Sequence, residues 1–308
     1  MALQLNKNIF IVLPAIFLAS CSSKQYFVPE ESKVEKNQQL HFLYNHININ
    51  YLGYDEVFLS NGSKFDKNGL EINSSLKNID KRIEDAIVWS EKNNQIAYLT
   101  SENIIALFDK KSGKTIFKKR LEEVQSFDRR VPKPVFDGEN ILYFSLDGKI
   151  IVISKNGEKI LRTFSIGSGR DYSNIIDYSL TQDHFIAVSH REIVSISDIG
   201  EFREELNIRG AIFNKNSSIF YIVTKDGEII KYNSKLVIQD RIKFPFARFI
   251  SFGIHDNKII LIESNGYIIE IDVNLKNYRV FNSELDSENC FFAKDKFICD
   301  EKILKLPL

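Results

Sequence analysis

Apolar residues come in short runs along this chain, and each run is closed by a polar turn that usually holds glycine. Residues 103–121, NIIALFDKKSGKTIFKKRL, show the unit. Ile104, Ile105, Leu107 and Phe108 form one run, Lys111-Ser112-Gly113 interrupts it, and Thr115 to Phe117 begins the next, which reads as a β-hairpin. The same phrase returns at 148–164, 227–239 and 266–281, each time after an apolar run ending in a turn: ILYFSLDG, IFYIVTKDG and IILIESNG. The echoes fall roughly 40 residues apart, the period of a four-stranded propeller blade, and one such unit cannot bury its own faces. The pattern therefore predicts an all-β chain folded as a β-propeller.

The runs divide into blades at 46–80, 83–124, 130–168, 173–209, 210–245 and 247–286. The remainder, 287–308, supplies only three short strands: CFF, FIC and ILKL. A ring leaves open edges unless its ends meet, and LHFLY at 40–44 is an unassigned apolar strand placed to complete the last blade. Seven blades are expected, the seventh shared between the termini; eight is the alternative if the first segment hides two. That terminal blade also carries a covalent expectation. A two-residue turn at Lys294-Asp295 pairs Ala293 with Lys296 and, counting outward, Cys290 with Cys299 at a non-hydrogen-bonded position, where side chains approach most closely. A disulfide between them is expected in an exported protein.

Export is written at the start of the chain. Lys7 precedes an apolar run from Ile9 to Leu18, followed by Leu18-Ala19-Ser20-Cys21. This is a secretory signal (1–20) ending in a lipobox, so Cys21 becomes the lipidated N-terminus. Two or three acyl chains, at about 0.8 kcal/mol per buried CH₂, anchor it durably. Ser22 follows the Cys, and the periplasmic face of the outer membrane is the expected location. Residues 21–39 are charged, poor in aliphatics and contain Pro29, and are read as a flexible tether to a propeller domain at 40–308. Composition fits such a body: 24 Phe and 12 Tyr among abundant Ile and Val, with 41 basic and 41 acidic residues, so no net field favours nucleic acid.

The form in IIALFDKKSGKTIF, with Phe117 where Trp is usual, resembles the repeat of quinoprotein-like (PQQ-like) β-propellers. Among the non-enzymatic members, the chain is similar to the lipoprotein propellers of the bacterial outer-membrane β-barrel assembly machinery. That resemblance implies a non-catalytic scaffold for assembling outer-membrane β-barrel proteins. Its implied partners are the barrel-inserting protein, other assembly lipoproteins and unfolded outer-membrane chains. It also implies partner-binding roles for Leu206, Ile208 and Arg209, because LNIRG stands where the family has its docking connector. The alternative for Leu206 and Ile208 is that they line the inner face of a strand. The family's acidic pair at a later blade falls on Ala247 and Phe249, so any acidic half of that contact is absent or moved.

Catalysis finds no support in the pattern. Quinoprotein dehydrogenases use adjacent cysteines and a Trp platform; here no two Cys are adjacent, and the single Trp89 is expected to pack in its blade. His41, His46, His184, His190 and His255 form no metal-binding spacing and are read as surface or strand-end residues. The carboxylate doublets Asp55-Glu56 and Glu122-Glu123 are read as solvated. The glycine-rich loop 166–172, IGSGRDY, could cradle an anion but is read as a connector. No cofactor and no metal are expected. Two other functions stay open: an accessory or sensor propeller of a periplasmic respiratory enzyme, and a small-ligand or glycan-binding propeller using the central funnel.

Overall fold

The computed structural model describes residues 25–31, 34–35, 41–44, 48–60, 63–69, 71–73, 85–124, 128, 130–166, 173–181, 183–214, 218–283, 285, 287–300 and 302–306. Seven sheets of antiparallel strands follow one another along these residues. Blade 1 holds β3 (Ile49–Leu52), β4 (Glu56–Leu59), β5 (Ser63–Asp66) and β6 (Glu71–Asn73). Blade 2 holds β7 (Ala86–Lys92), β8 (Gln95–Thr100), β9 (Ile104–Asp109) and β10 (Lys114–Arg120). Blade 3 comprises β11 (Val135–Asp137), β12 (Asn140–Phe144), β13 (Lys149–Ser154) and β14 (Ile160–Ser165). In blade 4 come β15 (Ile175–Leu180), β16 (His184–Ser189), β17 (Glu192–Ser197) and β18 (Gly200–Glu205). Blade 5 has β19 (Ile208–Phe213), β20 (Ile219–Thr224), β21 (Glu228–Asn233) and β22 (Ile238–Lys243). Blade 6 has β23 (Phe249–His255), β24 (Lys258–Glu263), β25 (Tyr267–Asp272) and β26 (Tyr278–Asn282).

The seventh sheet closes the ring as expected. β27 (Cys290–Ala293), β28 (Lys296–Cys299) and β29 (Lys302–Lys305) come from the C-terminus, and β2 (His41–Tyr44) pairs antiparallel with β29, His41 opposite Lys305. The expected hairpin register holds as well: Cys290 faces Cys299, their Cα atoms stand 4.1 Å apart, and the two are joined by a disulfide. Two further contacts lie in the segment read as a tether. β1 (Val34–Glu35) adds a parallel strand to β26, and Phe27, 6% exposed, sits edge-on to Phe244 and Tyr267 between blades 5 and 6. A charged, aliphatic-poor sequence thus docks through one aromatic ring and one two-residue strand, neither of which shows a periodicity.

Cores lie between blades because the middle strands, such as β8 and β9, bury both faces, whereas the outer strands β10, β14, β18 and β22 are mostly exposed. Ala97 and Leu99 of β8 pack on Ile141 and Tyr143 of blade 3, whereas Ile96 and Tyr98 point the other way, to Trp89 of their own blade. Equivalent clusters join blades 3 and 4, 4 and 5, 5 and 6, 6 and 7, and 7 and 1. Polar bonds stitch the same seams: the Tyr143 hydroxyl donates to the Ala106 carbonyl at 2.8 Å and that of Tyr221 to Val273 at 2.7 Å.

The repeated turn has a physical reason. The second strand of blades 2–5 ends in, or is followed at once by, Thr100, Ser145, Ser189 or Thr224, whose hydroxyls bond the backbone of the turn or of the strand that follows. In blade 6 buried Glu263 does this, accepting from the backbone N–H of Asn265 and Arg248. Gly227 and Gly266 have φ of 83° and 86°, and a Cβ there would lie 2.3 and 2.7 Å from the carbonyls of Phe244 and Leu285. Those carbonyls belong to connectors crossing the turn toward the next blade, so glycine is required both for the backbone angle and for the close approach.

Candidate functional site

Alternation of four antiparallel strands per blade brings the described connectors from one blade's outer strand to the next blade's inner strand to a common face, around the mouth of the central funnel. Five innermost strands begin with a bulge, where the pairing skips Asn50, Ile87, Ile176, Arg209 or Ile250. An extra residue without a ladder partner is re-aimed, and barrel rims and sites commonly use this device. Here Ile87, Arg209 and Ile250 turn into a cavity of about 490 Å³ that also touches Leu52, Asp128, Arg130, Arg248, Glu288, Asn289 and Cys290.

Three guanidinium groups therefore share the mouth, and they are held differently. Arg130 grips Asp128 through Nε and Nη2 at 2.9 and 2.7 Å, and His190 Nε2 stands 2.9 Å from the same carboxylate. His190 Nδ1 lies 3.2 Å from the Ile208 carbonyl, so this buried ring ties blade 4 to blade 5. Burial works to raise the Asp128 carboxyl, but His190 and Arg130 together outweigh it and hold the group far below the carboxylate range. Arg209 has no such partner among the described residues. Its Nε donates to the Phe249 carbonyl at 3.0 Å, and burial, then Arg130 and Arg248, pull its basicity down. Arg248 is exposed at the rim, and no ion pair ties its guanidinium to a described residue. Lys225 is also lowered, by burial and then by Arg209 and Arg191, which extends the positive field outward.

The far end of the channel is built from blade 1. Its β3–β4 turn reaches blade 3: the Lys133 backbone N–H donates to Asp55 at 2.9 Å, and Glu56 pairs with Lys133 and with Lys64 of its own blade. The Lys67 ammonium, over the Tyr54 ring, stands 4.0 Å from Asp177 of blade 4.

Several sequence readings change here. Ile208 is 0% exposed in the seam between blades 4 and 5, and half-buried Leu206 packs on the same cluster. Of the two roles left open for them, Ile208 takes the lining one and is not available as a surface anchor. Arg209, expected in a docking connector, is the bulge residue that lines the funnel. Ala247 and Phe249, where an acidic pair would stand, are core residues. His190 stands just past the end of β16, one of the two places read for it, but is buried beside Asp128, and Glu56 is buried between two lysines, not solvated. Glu122 and Glu123 are exposed as expected, Trp89 packs in its blade, and His184 and His255 sit at strand ends. Among the described residues no cluster of three metal-ligating side chains occurs. Cys21, His46 and loop positions 167–172 lie outside the described residues, as do the side chains of His41 and the rest of β2. Arg130, Arg248 and Asp128 were missed from sequence. They are distant in the chain and only ring closure gathers them, although each lies shortly before an innermost strand.

No family model matches the chain. Two curated relatives are the plasminogen-binding protein PgbB of Helicobacter pylori strain J99, 25% identical over 214 residues, and its counterpart in strain 26695, 24% identical over 214 residues. Each alignment covers 68% of this chain but 39% of the relative, so the chain spans about two fifths of their length. Among solved structures, BamB of Moraxella catarrhalis superposes with a TM-score of 0.56 over 82% of this chain and 79% of that one, at 11% identity. The C-terminal WD40 domain of Sif2 gives 0.57 over 85% and 82%, at 13% identity. The fold is thus a β-propeller resembling that of BamB.

Proposed function

We propose that this protein is a non-catalytic scaffold, held at the periplasmic face of the outer membrane by lipid on Cys21. In this reading it assists insertion of β-barrel proteins by binding the barrel-inserting protein and its companion lipoproteins. The observation that carries it is the mouth: Arg209 and Arg248 present guanidinium groups without carboxylate partners among the described residues, beside apolar Leu52, Ile87 and Ile250. Planar donors flanked by apolar surface suit an acidic segment of a protein partner, because a guanidinium engages carboxylate in two parallel hydrogen bonds. Similarity in fold to BamB supports the choice of partner by shape.

Affinity purification from solubilised envelopes tests it. Wild-type protein is expected to recover the barrel-inserting protein. The Arg209→Glu, Arg248→Glu double variant should lose about 2 kcal/mol of binding, roughly thirtyfold in Kd. Equal recovery by both proteins would remove the mouth from the interface, and recovery of a redox enzyme instead would favour an accessory role in respiration. A second reading follows from the sequence relatives, whose name states that they bind plasminogen. It predicts that whole cells capture plasminogen and that external protease cleaves this chain; a fully protected chain excludes it.

A further inference from the structure

Phe27 fixes the N-terminal segment to one definite place on the ring. It sits against Phe244, in the connector from blade 5 to blade 6, and against Tyr267, which follows the β24–β25 turn. Both elements lie on the face that carries the funnel mouth, since outer-to-inner connectors and second-to-third strand turns share that face. Further along, β1 pairs on β26, the outer strand of blade 6, and β2 on β29 of blade 7. Flanking the buried ring are Tyr26, 58% exposed, and Val28, 81% exposed; Phe246, two residues beyond Phe244, is 55% exposed. Three large apolar side chains therefore stand in water around the point where the strap docks.

Cys21 lies six positions before Phe27, and the six Cα-to-Cα steps between them fix how far apart they can be. Fully extended, those six steps reach at most about 22 Å, at roughly 3.3–3.6 Å each. A lipid-bearing Cys21 would then hold this rim close to the headgroups, whereas a free spacer running to residue 39 would let the disc tumble. We propose that Tyr26, Val28 and Phe246 form a bilayer-facing patch, and that the docked Phe27 sets the disc with its blade 5–6 rim and funnel mouth toward the membrane. The occupant of the patch is the lipid interface, where aromatic rings and short aliphatic side chains partition. This inference rests on lipidation of Cys21, part of the function proposed above.

The test uses full-length protein in phosphatidylcholine vesicles containing a nitroxide-labelled phosphatidylcholine. A fluorophore is placed at Phe246→Cys or at Ile199→Cys. Ile199 is equally apolar and 68% exposed, but lies in the β17–β18 turn on the opposite face. The mass of the N-terminal peptide reports acylation of Cys21 independently. Acylated protein quenched at 246 and unquenched at 199 is the expected result, and adding Phe27→Ala should abolish the difference while vesicle binding persists. Acylated protein quenched equally at both positions would overturn the orientation and leave the anchor intact. A non-acylated Cys21 would remove the anchor itself, and the orientation with it.

Discussion

Asp128 and Asp177 are both mostly buried near the funnel axis, yet their surroundings push them in opposite directions. Asp128 accepts from Arg130 and faces His190, which outweigh burial and lower its carboxyl. Such a group contributes stability that is present above the ordinary carboxylate pKa, about 3.9, and is lost as pH falls. Asp128→Asn should therefore lower the thermal midpoint at pH 7 and flatten its decline in acid, with a loss of about 3 kcal/mol because Arg130 is left unpaired. Among the described residues Asp177 accepts only the Tyr178 backbone N–H, at 2.8 Å, and burial raises its carboxyl well above the usual range despite Lys67 at 4.0 Å. Its sign is reversed: the ionised form penalises the fold at pH above the ordinary carboxylate value. Asp177→Asn should stabilise by roughly 1–2 kcal/mol at pH 8 and change little at pH 3. Thermal melts of the two variants across pH separate these behaviours; parallel profiles would refute both assignments. Neither environment was legible in the sequence, because each depends on contacts between blades far apart in the chain.

The terminal blade depends on two ties. The disulfide closes a nine-residue separation, and replacing both cysteines by Ala should cost about 2–3 kcal/mol in the loop-entropy account. Denaturant midpoints of the Cys290→Ala, Cys299→Ala protein check this, and an unchanged midpoint would mean the bond constrains nothing. The strand tie is larger. A chain beginning after Tyr44 would leave β29 as an open edge, and is expected to lose its single cooperative transition and to self-associate on light scattering. Both ties could be read in advance: LHFLY had no other blade to join, and the register of the cysteine hairpin follows from counting out of its turn. The bulges could not, since one extra residue inside an apolar run leaves the run unchanged. Phe27 and β1 were hidden for a related reason, a lone aromatic ring and a two-residue parallel pairing having no period to detect.

Seen whole, the molecule is a ring with one chemically distinct face. Repeats roughly 40 residues apart made the ring legible, whereas the arginine mouth exists only once the ring is closed and residues from different blades meet. Phe27 docks the N-terminal segment on that same face, so a lipid on Cys21, as proposed above, would neighbour the mouth. A photoreactive side chain at Asn289, exposed at the mouth, compared with one at Ile199 on the opposite face, tests this arrangement in native envelopes. The account predicts an adduct with the barrel-inserting outer-membrane protein from position 289 and none from 199. Adducts of equal yield from both positions, or no protein captured at 289, would contradict it.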